Sequence, residues 1–292
     1  MVGRALTSGC RYDDNPRDAP TRSFPGLRQL TGLRTLRAQS FLSAMATASD
    51  LRLGPLRQRA REATPAELAA VPWMRVLDAE EVAHVSARIR VADAEAGDLV
   101  CKIGRPAGFW FGVIDGLLKM SNDSSTGAAV TYTGVPPGAW FGEGTLLKRE
   151  VYRYNIESLR KSVVAGLPIE SFEWLLARSI PFNRYVMLQL NERLGQFIAA
   201  REIDRMDDPD SRVARSLAAL FHPVLYPGVG ELLRITQQEL AYLVGLSRQR
   251  TNEALRTLQA QGLIQIEYGG VRVLDLAGLR QRMGEVWPAR RG

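Results

Sequence analysis

Residues 235–248 read Ile-Thr-Gln-Gln-Glu-Leu-Ala-Tyr-Leu-Val-Gly-Leu-Ser-Arg, and most of these positions carry a strong local preference. Thr236 and Glu239 form a capping box: the threonine accepts from the backbone three residues on, and the glutamate reaches back. The helix opened in this way has Leu240, Ala241, Leu243 and Val244 as its apolar face. Gly245 permits a left-handed turn residue and Leu246 fills the angle between helices. Ser247 then caps a second helix that carries Ala254, Leu255 and Leu258 inward. Two helices joined this tightly make a helix-turn-helix.

The outward face of the second helix holds Arg248, Gln249, Arg250, Asn252, Glu253 and Arg256. Arg suits guanine, Gln or Asn adenine, and Glu cytosine, so these side chains match base edges. Ser247, Arg250 and Thr236 suit phosphates, which position a protein on DNA without specifying sequence. A solvated helix face is the plainer reading, since exposed helix surface is normally charged. The cap, the turn glycine and the polar first turn standing in one register favour DNA. Beyond this pair, residues 262–267 and 271–273 alternate around Tyr268-Gly269-Gly270, which predicts a β-hairpin wing bearing Arg272.

Upstream, Asp208-Pro209 stops one helix and starts another. Residues 179–206 contain Met187, Leu190, Leu194 and Phe197, spaced by three, four and three with polar residues between, the seam of a helix that pairs with another helix. The alternative is that this stripe packs on its own domain. From Val91 to Leu167 short apolar runs are punctuated by Gly97, Gly104, Gly108, Gly112, Gly116, Gly127, Gly134, Gly138, Gly142 and Gly144, as in an all-β sandwich or barrel. Phe109–Ile114 is a buried-strand candidate, and Asp115-Gly116 predicts a hairpin to Leu117–Met120. Folded structure is expected to begin near Thr64-Pro65-Ala66-Glu67, another capping box.

The formal net charge is +7, from 38 Lys+Arg against 31 Asp+Glu, in 292 residues. Residues 1–62 contribute +6 of it, residues 63–206 contribute −1 and residues 207–292 contribute +2. The first segment, rich in Arg, Ser and Pro and without a sustained hydrophobic period, reads as a disordered basic extension, with Met45 as an alternative start. The functional charge is therefore the local cluster Arg248, Arg250, Arg256 and Arg272. No run reaches the roughly 18 apolar residues of a membrane-spanning helix, so the chain reads as soluble and cytoplasmic, with no membrane partner. Cys10 and Cys101 cannot supply a four-thiolate metal or iron–sulfur site.

A glycine-punctuated β-domain, a long helix and a winged helix-turn-helix in this order resemble the Crp/Fnr family of bacterial transcription regulators over about residues 65–280. The segment from Ile235 through Arg248 to Leu258 and Gly262-Leu263-Ile264 carries the resemblance most strongly. The resemblance implies an α+β fold: a β-roll of jelly-roll type over 63–178, a dimerisation helix over 179–206 and a winged helix-turn-helix over 207–292. It implies double-stranded DNA, a second copy of the chain and RNA polymerase as partners. Within it Arg248 aligns with the guanine-reading arginine, while Gln249 and Glu253 depart from the common Glu and Arg.

Phe141-Gly142-Glu143, with Arg153 ten residues after the glutamate, matches the cassette that holds the phosphate of cyclic AMP. Gly142, Glu143, Gly144, Arg153 and Tyr154 are the effector-site residues the resemblance implies. In such a cassette, turn N–H groups and an Arg pair with the phosphate while the Glu accepts from a ribose hydroxyl. Tyr154-Asn155 replaces the expected small hydroxyl residue and alanine, which disfavours a cyclic nucleotide and leaves Glu143 and Arg153 as an expected structural ion pair. An iron–sulfur cluster lacks its cysteines, and haem would have to use His84, His222 or Cys101, none in a matching motif. The competing class is a small-molecule binding module or cupin-like enzyme. An enzyme needs a metal cluster, an activated nucleophile or paired carboxylates, and the chain has only two histidines.

Overall fold

A computed structural model describes residues 58–123, 129–203 and 208–281. The greater part of the basic extension, with Cys10 and Met45, lies outside them. The described residues open with β1 (Arg61–Glu62), α1 (Pro65–Ala69), a 3-10 turn (Pro72–Val76) and α2 (Ala79–Ser86). Thr64 caps α1 in the expected capping box, and Asp78 does the same for α2 with Glu81. The extension ends sooner than its composition indicates, because Arg61 and Glu62 pair with Val91 and Arg90. Arg61 also bonds Glu67, holding that carboxyl down at about 2.

The β-domain follows as β2 (Arg90–Ala94), β3 (Leu99–Cys101), β4 (Phe109–Asp115), β5 (Leu118–Asp123), β6 (Ala129–Val135), β7 (Trp140–Phe141), α3 (Glu143–Leu147), β8 (Asn155–Ser158) and β9 (Ser162–Pro168). Its strands form two antiparallel sheets, ordered β1-β2-β9-β4-β7 and β3-β8-β5-β6. The period-two alternation of the sequence divides the side chains between two cores. In β9, Val164 joins Val113, Phe141 and Ile156 inside the roll. Val163, Ala165 and Leu167 instead pack with Trp73, Trp110, Trp140, Phe172 and Phe182 under the helices.

The turn at Asp115-Gly116 does not close a hairpin, contrary to the sequence expectation. β4 pairs with β9 and β7, whereas β5 pairs with β8 and β6, so the chain changes sheets there. Turn chemistry is the same for a hairpin and for a corner between sheets; only the long-range partners distinguish them.

After β9 come α4 (Ile169–Arg178), the long α5 (Ile180–Ile203), α6 (Pro209–Ala219), β10 (Leu232–Leu233), α7 (Gln237–Val244), α8 (Arg248–Ala260), β11 (Ile264–Glu267), β12 (Gly270–Val273) and α9 (Leu276–Gln281). Asp208 caps α6 by accepting from Asp210 and Ser211. β11 and β12 are the expected wing, and β10 adds a third strand that two residues of sequence do not announce. Val213, Leu217, Leu240, Val244, Leu255 and Leu258 form a core beneath them.

His222 joins α5 to the loop after α6. Its Nδ1 accepts from the backbone N–H of Val224 (3.3 Å) and Leu225 (3.2 Å), and its Nε2 faces Glu192 at 3.3 Å. A ring nitrogen that accepts is unprotonated, so Nε2 carries the proton toward Glu192. Burial lowers the His222 pKa against the pull of Glu192, and Arg280 and Arg193 also oppose its charge. The folded value is thus below the unfolded one, near 6.5. The stabilisation is fully present above that pH and is lost as pH falls through the folded value. His84 shifts the same way through burial. Between pH 7 and 5 the denaturant midpoint should therefore fall, and a His222→Gln chain should show a shallower fall. An equal slope in both chains would contradict this.

Candidate nucleic-acid interface and effector cassette

The two capped helices stand as the sequence predicts. Thr236 Oγ1 accepts from Glu239 N–H at 3.2 Å, and Glu239 Oε2 accepts from Thr236 N–H at 2.7 Å. Gly245 ends α7 at φ 67, the left-handed region where a side chain would be strained. Ser247 Oγ accepts from Arg250 N–H at 3.2 Å, and the α8 interior is fixed by fully buried Ala254 and Leu258.

Ser247, Arg248, Gln249, Glu253 and Arg256 are exposed on α8, with Asn252 half-buried beside them. The first turn is prearranged. Gln249 Nε2 donates to Glu253 Oε1 at 3.2 Å, and Arg250 is held by Asp210 (2.9 Å) and Glu253 (3.2 Å). Arg250 is thereby committed to fixing α8 against α6. On the wing, Arg272 pairs with Glu267 and Glu231, which neutralise it locally. Between α7, α8 and the wing runs a cleft of about 450 Å³ lined by Thr236, Gln237, Gln238, Arg248, Glu267 and Gly269. Tyr268 stands fully exposed at the wing tip.

The cassette region departs from expectation. Glu143, 2% exposed, pairs with Arg193 of α5 at 3.0 Å, and Arg193 also donates to the Trp140 carbonyl at 2.7 Å. Arg153 instead points to solvent, its side chain 75% exposed, and pairs with Glu150 at 3.0 Å. The expected Glu143–Arg153 pair is therefore absent, and its true partner lies 50 residues away on another element. Burial opposes the Arg193 charge, but Glu143 outweighs it and raises the pKa. Tyr154 is half-buried and feels both charges: burial pushes its hydroxyl pKa up, and the hydroxyl bonds Thr145. Gly142 caps α3, and Gly144 approaches Leu190.

The four residues of the expected α5 seam separate onto two faces. Met187 and Leu194 are each 60% exposed, but Leu190 packs on the tryptophan core and Phe197 meets Tyr132 edge-on at 6.4 Å. At 100° per residue, Leu190 and Phe197 stand about 40–80° round from Met187 and Leu194. The open stripe is instead Ile180, Met187, Leu194 and Ile198, 67%, 60%, 60% and 59% exposed. Ile180 and Ile198 were not anticipated, although their spacing from Met187 and Leu194 was available in the sequence.

The model of the cyclic nucleotide-binding domain matches residues 92–179, and that of the Crp-like helix-turn-helix domain matches residues 211–282. The chain belongs to the Crp/Fnr family of transcription regulators. Among Crp/Fnr relatives, the transcriptional regulator SdrP of Thermus thermophilus is 29% identical over 195 residues, 64% of this chain and 91% of SdrP. The CRP-like protein Clp of Xanthomonas campestris is 29% identical over 182 residues, 56% of this chain and 75% of Clp. The structure of FixK2 from Bradyrhizobium japonicum matches with TM-score 0.55 at 14% identity, covering 68% of this chain and 98% of FixK2, which shows a shared fold. As a Crp/Fnr member the chain is a DNA-binding transcription regulator with a cyclic-nucleotide-binding-type β-domain. No described helix is long and apolar enough to cross a membrane.

Proposed function

We propose that the chain acts as a homodimer that reads a near-palindromic operator through α8, engages RNA polymerase from that site, and does so without cyclic AMP. The capped helix pair that exposes Arg248, Gln249, Glu253 and Arg256 beside the wing cleft carries this reading. In this reading Thr236 and Ser247 meet phosphates, Arg272 does so by exchanging Glu267 and Glu231 for a phosphate, and Arg248 meets a guanine edge. The open α5 stripe supports pairing of two copies, which would set two recognition helices about 34 Å apart. Replacing Arg248→Ala should cost roughly 1–3 kcal/mol and relax preference at one base pair per half-site. Unchanged binding would remove Arg248 from the reading.

The residues present do not fit a cyclic phosphate. Arg153 faces solvent, and Tyr154 carries a large ring where the cassette expects a small hydroxyl residue. Glu143 Oε2 is nevertheless buried without a hydrogen-bond partner among the described residues. This favours, as a second reading, an effector that offers a hydroxyl to Glu143 without anchoring a phosphate on Arg153. Selection of bound fragments from the source genome, with and without cyclic AMP and cyclic di-GMP, tests both. The same palindrome under every condition is expected, and an operator recovered only with a nucleotide would overturn the effector assignment.

A further inference from the structure

The β-domain and the helix-turn-helix exchange side chains. Leu117, at the corner between β4 and β5, is fully buried, but it belongs to the cluster built by Leu217, Leu240, Val244 and Leu258 of the DNA-binding core. Leu159, from the β8–β9 turn, packs on the same cluster and donates its N–H to the Leu117 carbonyl at 2.9 Å. In return Leu225 and Tyr226, from the loop after α6, enter the core inside the β-roll. Where that loop meets the β6–β7 turn the backbones touch: a Cβ on Gly138 would stand 2.4 Å from Gly228 N.

One polar contact fastens this exchange. Arg160 Nε donates to Glu239 Oε1 at 2.8 Å, its Nη2 donates to Glu239 Oε2 at 2.5 Å, and Nη2 also reaches the Arg234 carbonyl at 2.8 Å. Glu239 is the capping-box carboxylate of α7 and is 8% exposed. One carboxylate therefore both starts the first helix of the DNA-reading pair and receives a bidentate guanidinium from the β-domain. Forked Arg–carboxylate bonds fix orientation as well as distance.

We infer that Arg160 is a positioning residue for DNA recognition, which through Glu239 sets the angle of the helix-turn-helix on the β-domain and so the half-site spacing that the dimer accepts. This rests on the dimeric operator reading above. Arg160 need touch no DNA. One inserted base pair moves the half-sites about 3.4 Å further apart and rotates them by about 35°. A fastened helix pair resists that change, and a loosened one follows it.

The test uses the full chain and synthetic palindromes whose centres are lengthened or shortened by one base pair. Wild type should discriminate by about tenfold against either change. Arg160→Ala and Glu239→Gln should each reduce that to about threefold or less while preserving discrimination against single base mismatches; glutamine at 239 can keep the capping bond from Thr236 through its one oxygen, but its NH2 group cannot accept from Arg160, so the fork is broken along with the charge. Without DNA, Arg160→Ala should speed amide hydrogen exchange across 237–244, and Arg153→Ala should not. Wild-type spacing discrimination in both clamp variants would overturn the inference. So would loss of base discrimination in step with spacing, a gain in operator affinity, or unchanged exchange. A wild type that binds no palindrome at any spacing removes the operator reading itself, and the exchange experiment still judges the clamp.

Discussion

A chain carrying Leu194→Lys and Ile198→Lys should sediment as a monomer and lose operator affinity by roughly 10²–10⁴-fold, the advantage that linking two binding modules confers. Both side chains are about 60% exposed in the single chain, so lysine there costs the monomer little. In a dimer they would meet their own copies, and four ammonium groups would then face one another in a desolvated seam. Helical content by circular dichroism should stay near wild type. Leu190→Ala, one face round on the same helix, should behave oppositely: it removes packing from the tryptophan core, lowers the melting temperature and leaves the dimer intact. A double-lysine chain that remains dimeric would place the interface elsewhere.

The second large effect is on stability. Trp110 stacks on Trp73 at 5.4 Å, meets Trp140 at 4.7 Å and lies 5.2 Å from Phe172 and 5.6 Å from Phe182. All of these rings are 0% or 1% exposed. Trp110→Ala should cost about 3–5 kcal/mol, a large share of the roughly 5–15 kcal/mol that holds such a chain folded. The three indole N–H groups are buried without a hydrogen-bond partner among the described residues. Trp110→Phe therefore sacrifices no hydrogen bond and should lose markedly less, through volume alone. Thermal melts of the two variants distinguish these cases, and equal losses would mean that the indole N–H matters after all.

Legibility in the sequence followed the range of the interactions. The helix pair at 235–258 could be read residue by residue because a capping box, a left-handed glycine and a serine cap each act within four residues. The wing was readable for the same reason. The corner at Asp115-Gly116 was not, since Leu117 is claimed by a core assembled from residues about a hundred positions later. The partner of Glu143 was missed because nearby Arg153 offered the right charge, while Arg193 lies on a helix whose facing no local signal fixes. On α5 two sets of apolar residues, Met187 with Leu194 and Leu190 with Phe197, satisfy the same heptad spacing. The inward set was settled by the tryptophan core and by Tyr132, neither of which the helix itself encodes.

The position of Leu117 also bears on how this regulator can be taken apart or recombined. A DNA-binding half produced alone would have a hole where that leucine sits and a Glu239 carboxylate that keeps Thr236 but has lost its guanidinium. A β-domain grafted from a relative would have to bring its own leucine to the same corner and an arginine to the place of Arg160. The two halves are separate motifs in the sequence, but in the folded chain neither is a complete part without the other.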